Sequence, residues 1–202
     1  MDGRPLRILL IFRAPVGGLF RHVHDLARGL SGLGQEVGIV CDALTGGEGA
    51  EARLSAMEEY CRLGIHRVPM SRMPGLGDIS AARAVARHCA SLRPDILHGH
   101  GAKGGAYVRL AARGLDALAV YTPHGGSLHF GWRSPQGALF LGAERLLLSR
   151  TDGLLFVCEF ERRAFAAKIG LGQVPTRIAY NGLWPEEFST VAEQNGASDV
   201  LF

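Results

Sequence analysis

The 202-residue chain is 47% hydrophobic and 20% charged, the composition of a globular domain long enough to bury a core without disulfide or metal staples. Its formal net charge of +3 is too small to mark a nucleic-acid binder, and leaves anionic small ligands or an anionic membrane surface as partners. The cysteines at 41, 61, 89 and 158 contain no C-x-x-C pair, which excludes a zinc ribbon and reads as reduced, structural thiols in a cytosolic protein.

The first apolar run, "LRILLIF" at 6–12, is too short for a signal-peptide core or a membrane span. Further strand-length runs follow at 36–41, 65–68, 95–98, 118–122, 153–157 and 177–180. They are nearly continuous rather than alternating, as in strands covered on both faces. Between them lie helical periods. In the first, Leu19, Val23, Leu26, Leu30 and Leu33 form the apolar stripe, and Arg21, His24, Asp25 and Arg28 the polar side. Helices are also expected at 80–92, 102–113, 135–150 and 159–169. Strand and helix alternate throughout, so the expected fold is α/β, a Rossmann-like parallel sheet flanked by helices. The last four residues, "DVLF", read as the beginning of another strand.

In such a sheet ligands bind beyond the carboxyl ends of the strands, at a switch point, which directs attention to the loops that follow each strand. Gly17 and Gly18 come after the first strand and open the first helix, where backbone N–H groups favour an anion and a missing side chain admits it. The pattern is neither G-x-G-x-x-G nor a P-loop, and a plain turn accounts for it equally well. Only Asp42 stands where an acidic residue would grip the ribose of a nicotinamide cofactor.

After the fourth strand comes "LHGHGAKGGAY" at 97–107, read as a glycine-rich loop and helix start. His98 and His100, two apart, share a strand face. No third histidine or carboxylate stands near them in sequence, so no metal site is expected, and His98 also reads as a packed strand-end residue. "YTPHGGSLHFGW" at 121–132 places His124 on a glycine-rich loop after the fifth strand. With no nucleophile motif around it, His124 reads as a hydrogen-bonding or acid–base group. Ser127, His129 and Trp132 line either a polar pocket or a solvated loop with one aromatic anchor. "RIAYNGLWPEEF" at 177–188 sets Asn181 and Gly182 after the last strand, as a turn or as the start of an interdomain crossing.

Taken together, "RILLIF", "PVGGLFRHVHDLARGLSGLGQEVGIVCD", "RPDILHGHGAKGGAYVRLAAR", "VYTPHGG", "SRTDGLLFVCEFERRAF" and "RIAYNGLWPEEF" resemble the N-terminal domain of the retaining GT-B glycosyltransferases of family 4. The resemblance implies one Rossmann-like half of a two-domain enzyme: an acceptor domain over 1–184, and a hinge with the start of a second domain over 185–202. It implies that Gly17 and Gly18 lie near the donor's diphosphate, that His124 is the catalytic histidine touching the transferred sugar, and that Asn181 and Gly182, with Phe188, form the hinge. His98, His100, Lys103, Gly125 and Ser127 become candidates for the cleft and acceptor.

The implied partners are a nucleotide-diphosphate sugar, a carbohydrate or lipid-linked acceptor, and the second domain, with no metal or other cofactor and no nucleic acid. The implied setting is cell-surface polysaccharide synthesis in the cytoplasm, with peripheral contact at the inner membrane face as an option. The family's second domain and its E-x7-E motif fall outside this sequence, so the chain alone is expected to be nearly inactive. Arg13, Arg21, Lys103, Arg109 and Arg133 either gather at the cleft rim for an anionic acceptor or are scattered and solvated. A non-catalytic sugar or nucleotide-binding module remains an alternative. So does a GT-B-like epimerase, for which Asp42 and Glu159 are the only carboxylates at strand ends.

Overall fold

The computed structural model describes residues 3–190. Seven strands form one sheet: β1 (Arg7–Phe12), β2 (Glu36–Asp42), β3 (Ile65–Val68), β4 (Ile96–His100), β5 (Leu118–Thr122), β6 (Gly153–Phe156) and β7 (Thr176–Ile178). The connecting helices are α1 (Gly17–Gly32), α2 (Gly47–Ala56), α3 (Gly77–Leu92), α4 (Gly101–Ala111), α5 (Pro135–Leu147) and α6 (Glu159–Lys168). All neighbours are parallel, in the order β3-β2-β1-β4-β5-β6-β7. From β1 the chain winds towards β3, crosses back through α3, and winds from β4 towards β7. The carboxyl ends of β1 and β4 therefore flank the switch point where α/β sheets take ligands.

Two core clusters sandwich the β1–β2–β4 region. Ile8, Leu10 and Phe12 pack with Val37, Ile39 and Cys41 beneath Phe20, Val23 and Ala27 of α1 and Leu54 of α2. Leu9, Ile11 and Val40 face the other way, against Val85 and Cys89 of α3 and Val108 of α4. A third cluster joins Tyr121, Leu154 and Phe156 to Leu141 of α5 and Phe165 of α6.

The junction of β4 and α4 differs from the loop expected at 97–107. Gly99 and His100 stay in the sheet, opposite Tyr121 and Thr122 of β5, and α4 begins at once. Glycine makes this possible. A Cβ on Gly104 would stand 2.2 Å from the Ile11 carbonyl oxygen, and one on Gly105 would stand 2.2 Å from the Tyr121 ring. The helix start lies so close to β1 and β5 that no side chain fits between them.

Other departures have equally local causes. The buried face of α1 is Phe20, Val23 and Ala27, with Leu19, Leu26 and Leu30 only flanking it and Leu33 76% exposed at the helix end. Helix α2, "GEGAEARLSA", was not foreseen, because only Ala50 and Leu54 of it reach the core and no apolar stripe announces it. Cys41, Cys61 and Cys89 are buried free thiols, each pushed up to about 12 by burial. Cys158 is half-buried and caps α6, its sulfur accepting the Glu161 N–H. Of the segment expected as hinge and second-domain start, 185–188 form a short 3-10 turn against α1, and "DVLF" falls outside the described residues. Among the described residues, no helix is long and apolar enough to cross a membrane.

Candidate functional site

Two of the predicted loops and one strand end meet at the switch point. Gly17 has φ +70°, a value that favours glycine, and Cβ atoms on Gly17 or Gly18 would meet nothing within 4 Å. The N-terminus of α1 has no side-chain cap and no acidic residue in its first turn. Its N–H groups are thus open to an anion in the way the helix dipole favours.

His22 stands one turn along α1. Its Nδ1 lies 2.8 Å from Asn181 Oδ1, so the ring donates to that carbonyl and joins α1 to the segment after β7. Gly18, His22, Asn181 and Gly182 line one cavity of about 520 Å³ together with Arg21, Asp25 and Trp184. The Trp184 indole donates to Asp25 at 2.9 Å and lies under the Arg28 guanidinium.

His98 and His100 share a face of β4, as their spacing requires, with ring centroids 4.0 Å apart. His98 Nε2 and Thr122 Oγ1 share a 2.8 Å hydrogen bond. His124 follows β5 with φ +51°, a left-handed conformation uncommon for a residue with a side chain. Its Nε2 lies 3.1 Å from His100 Nδ1, and its ring meets that of His22 edge-on with centroids 4.7 Å apart. Ligating nitrogens of His22, His100 and His124 all fall within 4.8 Å of one another. The sequence placed no third histidine beside His98 and His100. The fold brings two more, His22 from 78 positions before His100 and His124 from 24 positions after it.

Burial holds His98, His100 and His124 neutral. It pulls His98 down to about 3 and His124 to about 4, and it takes His100 well below the ordinary imidazole value, with the neighbouring histidines adding to the effect. At neutral pH these three rings offer uncharged hydrogen-bond donors and acceptors.

Two buried carboxylates, which no motif revealed, hold the His124 loop. Glu161 of α6 accepts from Gly125 N at 2.7 Å and from Val157 N at 3.0 Å. Glu144 of α5 accepts from Arg109 Nη2 and Tyr121 Oη, both at 2.8 Å, and from Ser127 Oγ at 3.2 Å. Ser127 is therefore a buried anchor of the loop. Arg109 is 1% exposed with its guanidinium over the Tyr121 ring, so the reading that placed it at a cationic rim is corrected. Arg21 and Lys103 are each engaged by carboxylates. Arg21 pairs with Asp25 and Glu187, and Lys103 binds Asp78 at 2.5 Å.

Lys103 instead belongs to the wall of a second cavity, about 600 Å³, between α3, α4 and α5. Ile79, Ala82, Ala106, Leu110, Phe140 and Leu147 give it a mainly apolar lining. Ala102, Lys103, Gly126 and Ser127 bring its wall to within two or three residues of His100 and His124.

The carboxylates considered for an epimerase or a nicotinamide site are already engaged. Asp42 accepts from Leu44 N, Met70 N and Thr45 Oγ1, and Glu159 is held by Arg162 and Arg163.

A parallel seven-stranded sheet whose open glycine turn and histidine loops meet at the β1/β4 switch point has the architecture of one half of a GT-B glycosyltransferase. The chain belongs to the Glycosyl transferase 4-like domain family, which it matches over residues 17–182. Its fold is similar to that of a glycosyltransferase from Rickettsia africae ESF-5, at 17% identity and a TM-score of 0.65, with 91% of this chain and 48% of that one covered. It is likewise similar to HepE from Anabaena, solved with UDP and glucose, at 17% identity and TM-score 0.69, covering 92% and 47%. Sucrose-phosphate synthase from Thermosynechococcus elongatus gives 14% identity and TM-score 0.66, covering 92% and 50%. The chain thus spans about half the length of these structures. No curated protein matches it in sequence.

Proposed function

We propose that this chain is the acceptor-side half of a retaining hexosyltransferase that uses a nucleotide-diphosphate sugar. The observation that carries the reading is the juxtaposition of the uncapped, glycine-opened N-terminus of α1 with the neutral His124–His100 pair. The first suits a diphosphate. The second suits the hydroxyls of the transferred sugar, because a neutral imidazole both donates and accepts. The solved relative that holds UDP and glucose supports the donor class.

In this reading His124 is the catalytic residue that contacts the sugar. His100 orients it across the 3.1 Å contact, and Asn181 and Gly182 form the crossing to a second domain that supplies most donor contacts. The diphosphate leaves through backbone N–H groups and basic residues of that domain, and the transfer is not assigned to a metal. The apolar cavity beside the histidines supports an acceptor with a hydrophobic part, and so a lipid-linked saccharide of cell-surface polysaccharide synthesis handled in the cytoplasm at the membrane face.

The test is sugar transfer and nucleotide release from a panel of nucleotide-sugars, run with this chain and with a version carrying the second domain of a GT-B enzyme of this family. Turnover by the longer protein alone, falling at least a hundredfold in His124→Ala, is the expected result. An inert long protein beside a short chain that binds a sugar or nucleotide tightly by itself would replace this reading with a binding module.

A further inference from the structure

The three histidines have a second capacity, independent of sugar chemistry. We propose that His22, His100 and His124 form a binding site for a divalent transition-metal ion of the zinc type, and that the ion, once bound, blocks the histidine face instead of serving transfer.

The geometry is close to what such an ion asks for. Zinc–imidazole bonds of about 2.0–2.1 Å in a tetrahedron set ligand nitrogens about 3.3 Å apart. His100 Nδ1 and His124 Nε2 are already 3.1 Å apart, so they supply one edge of that tetrahedron with almost no movement. His22 has its ligating nitrogen within 4.8 Å of the other two and must close by roughly 1.5 Å or less. Being half-buried on the second turn of α1, it has the freedom to do so.

One outer hydrogen bond also fits. His22 Nδ1 donates to Asn181 Oδ1, which leaves the Nε2 lone pair free and orients the ring, the arrangement that metal-bound histidines use. His100 Nε2 is a buried nitrogen with no hydrogen-bond partner, so outer support for the site comes from His22 and not from His100. Binding needs no net proton release. Each ring keeps one proton and turns a bare nitrogen to the ion, and the proton now shared between His100 and His124 shifts to the far nitrogen of its own ring.

The donor set selects the metal. Three imidazoles and no carboxylate favour zinc, copper or nickel ions and give magnesium or calcium nothing they prefer. Three protein ligands leave a fourth position for water. Such an ion takes His124 Nε2, breaks the contact by which the functional reading has His100 orient the ring, and occupies the histidine face beside the sugar, so the inhibitory consequence rests on that reading. The binding itself does not.

The experiment is calorimetric titration of the 202-residue chain with ZnCl2 and, separately, MgCl2, in non-chelating buffer. It is repeated with His22→Ala, with His129→Ala as a histidine control and with Cys158→Ser as a thiol control. The expected result is one Zn2+ per chain and no response to Mg2+. Affinity should fall at least tenfold in His22→Ala and stay unchanged in both controls. Co2+ in place of Zn2+ should show tetrahedral visible bands without a thiolate charge-transfer band. No Zn2+ binding, binding that survives His22→Ala, or binding that disappears with Cys158→Ser would each overturn the site. A longer, active protein that binds Zn2+ at these residues yet transfers sugar undiminished would remove the inhibitory role and leave the site. Absence of transfer with any donor would count against the functional reading alone.

Discussion

The two ends of the sheet are built differently. In β1 and β2 every residue after the first is buried, because α1 and α2 cover one face and α3 and α4 the other. In β5 and β6 burial alternates: Tyr121, Leu154 and Phe156 are enclosed by α5 and α6, while Leu118, Val120 and Leu155 are exposed or half-buried on the opposite face. Among the described residues no core cluster covers that face. His98 and His100 lie on the same side of β4 as Ile96, which packs under α1, so the histidines stand where the cover of α1 runs out. A half-covered sheet thus places buried, neutral rings next to an open surface. A fully covered sheet would have sealed them, and a bare one would have solvated them.

The seam between the two ends offers the largest expected effect. Arg109→Met strips Glu144 of its buried cation and should lower stability by about 3–5 kcal/mol in urea unfolding. Arg109→Met with Glu144→Leu should recover much of that loss, and a double variant no better than the single would show that the pair is not a coupled unit. Leu10→Ala, in the doubly covered region, should cost about 2–5 kcal/mol.

The third effect depends on pH. A buried neutral histidine has a lower pKa folded than unfolded, so the unfolded chain takes up protons first, and stability is lost as pH falls below about 6.5 towards the folded values near 4 and 3. The lowered carboxylates, such as Asp78 and Asp95, begin to lose their contribution only below about pH 5, which leaves the window between about 6.5 and 5 to the histidines. A melting temperature that stays flat from pH 7 to pH 5 would show that the rings are not held as described. The smallest effect belongs to the open face: Leu155→Ala should cost roughly 1 kcal/mol or less. A loss as large as that of Leu10→Ala would mean that the face is covered after all.

The strands were legible because apolar runs bounded by glycine and charge need no tertiary information, and with them came the fold class and the loops that carry the site. Gly17, His100 and His124 could be picked out because each lies at or just past the carboxyl end of a strand. His22 could not, since it lies within a helix on neither the apolar stripe nor the polar face that defined it, and only the winding of β1 beside β4 brings it to His100. Glu144 and Glu161 were hidden for the same reason: an acidic residue in a helix reads as solvated until the fold shows the N–H and guanidinium groups around it. Arg109 was misplaced by the same logic, a charge assumed to be outside.

Glu161 makes two loops into one mechanical part. One carboxylate holds the N–H of Gly125, next to His124, and the N–H of Val157, at the end of β6, while its own helix begins two residues earlier at Glu159. The peptide beside His124 and the turn after β6 are thus tied to the same side chain of α6.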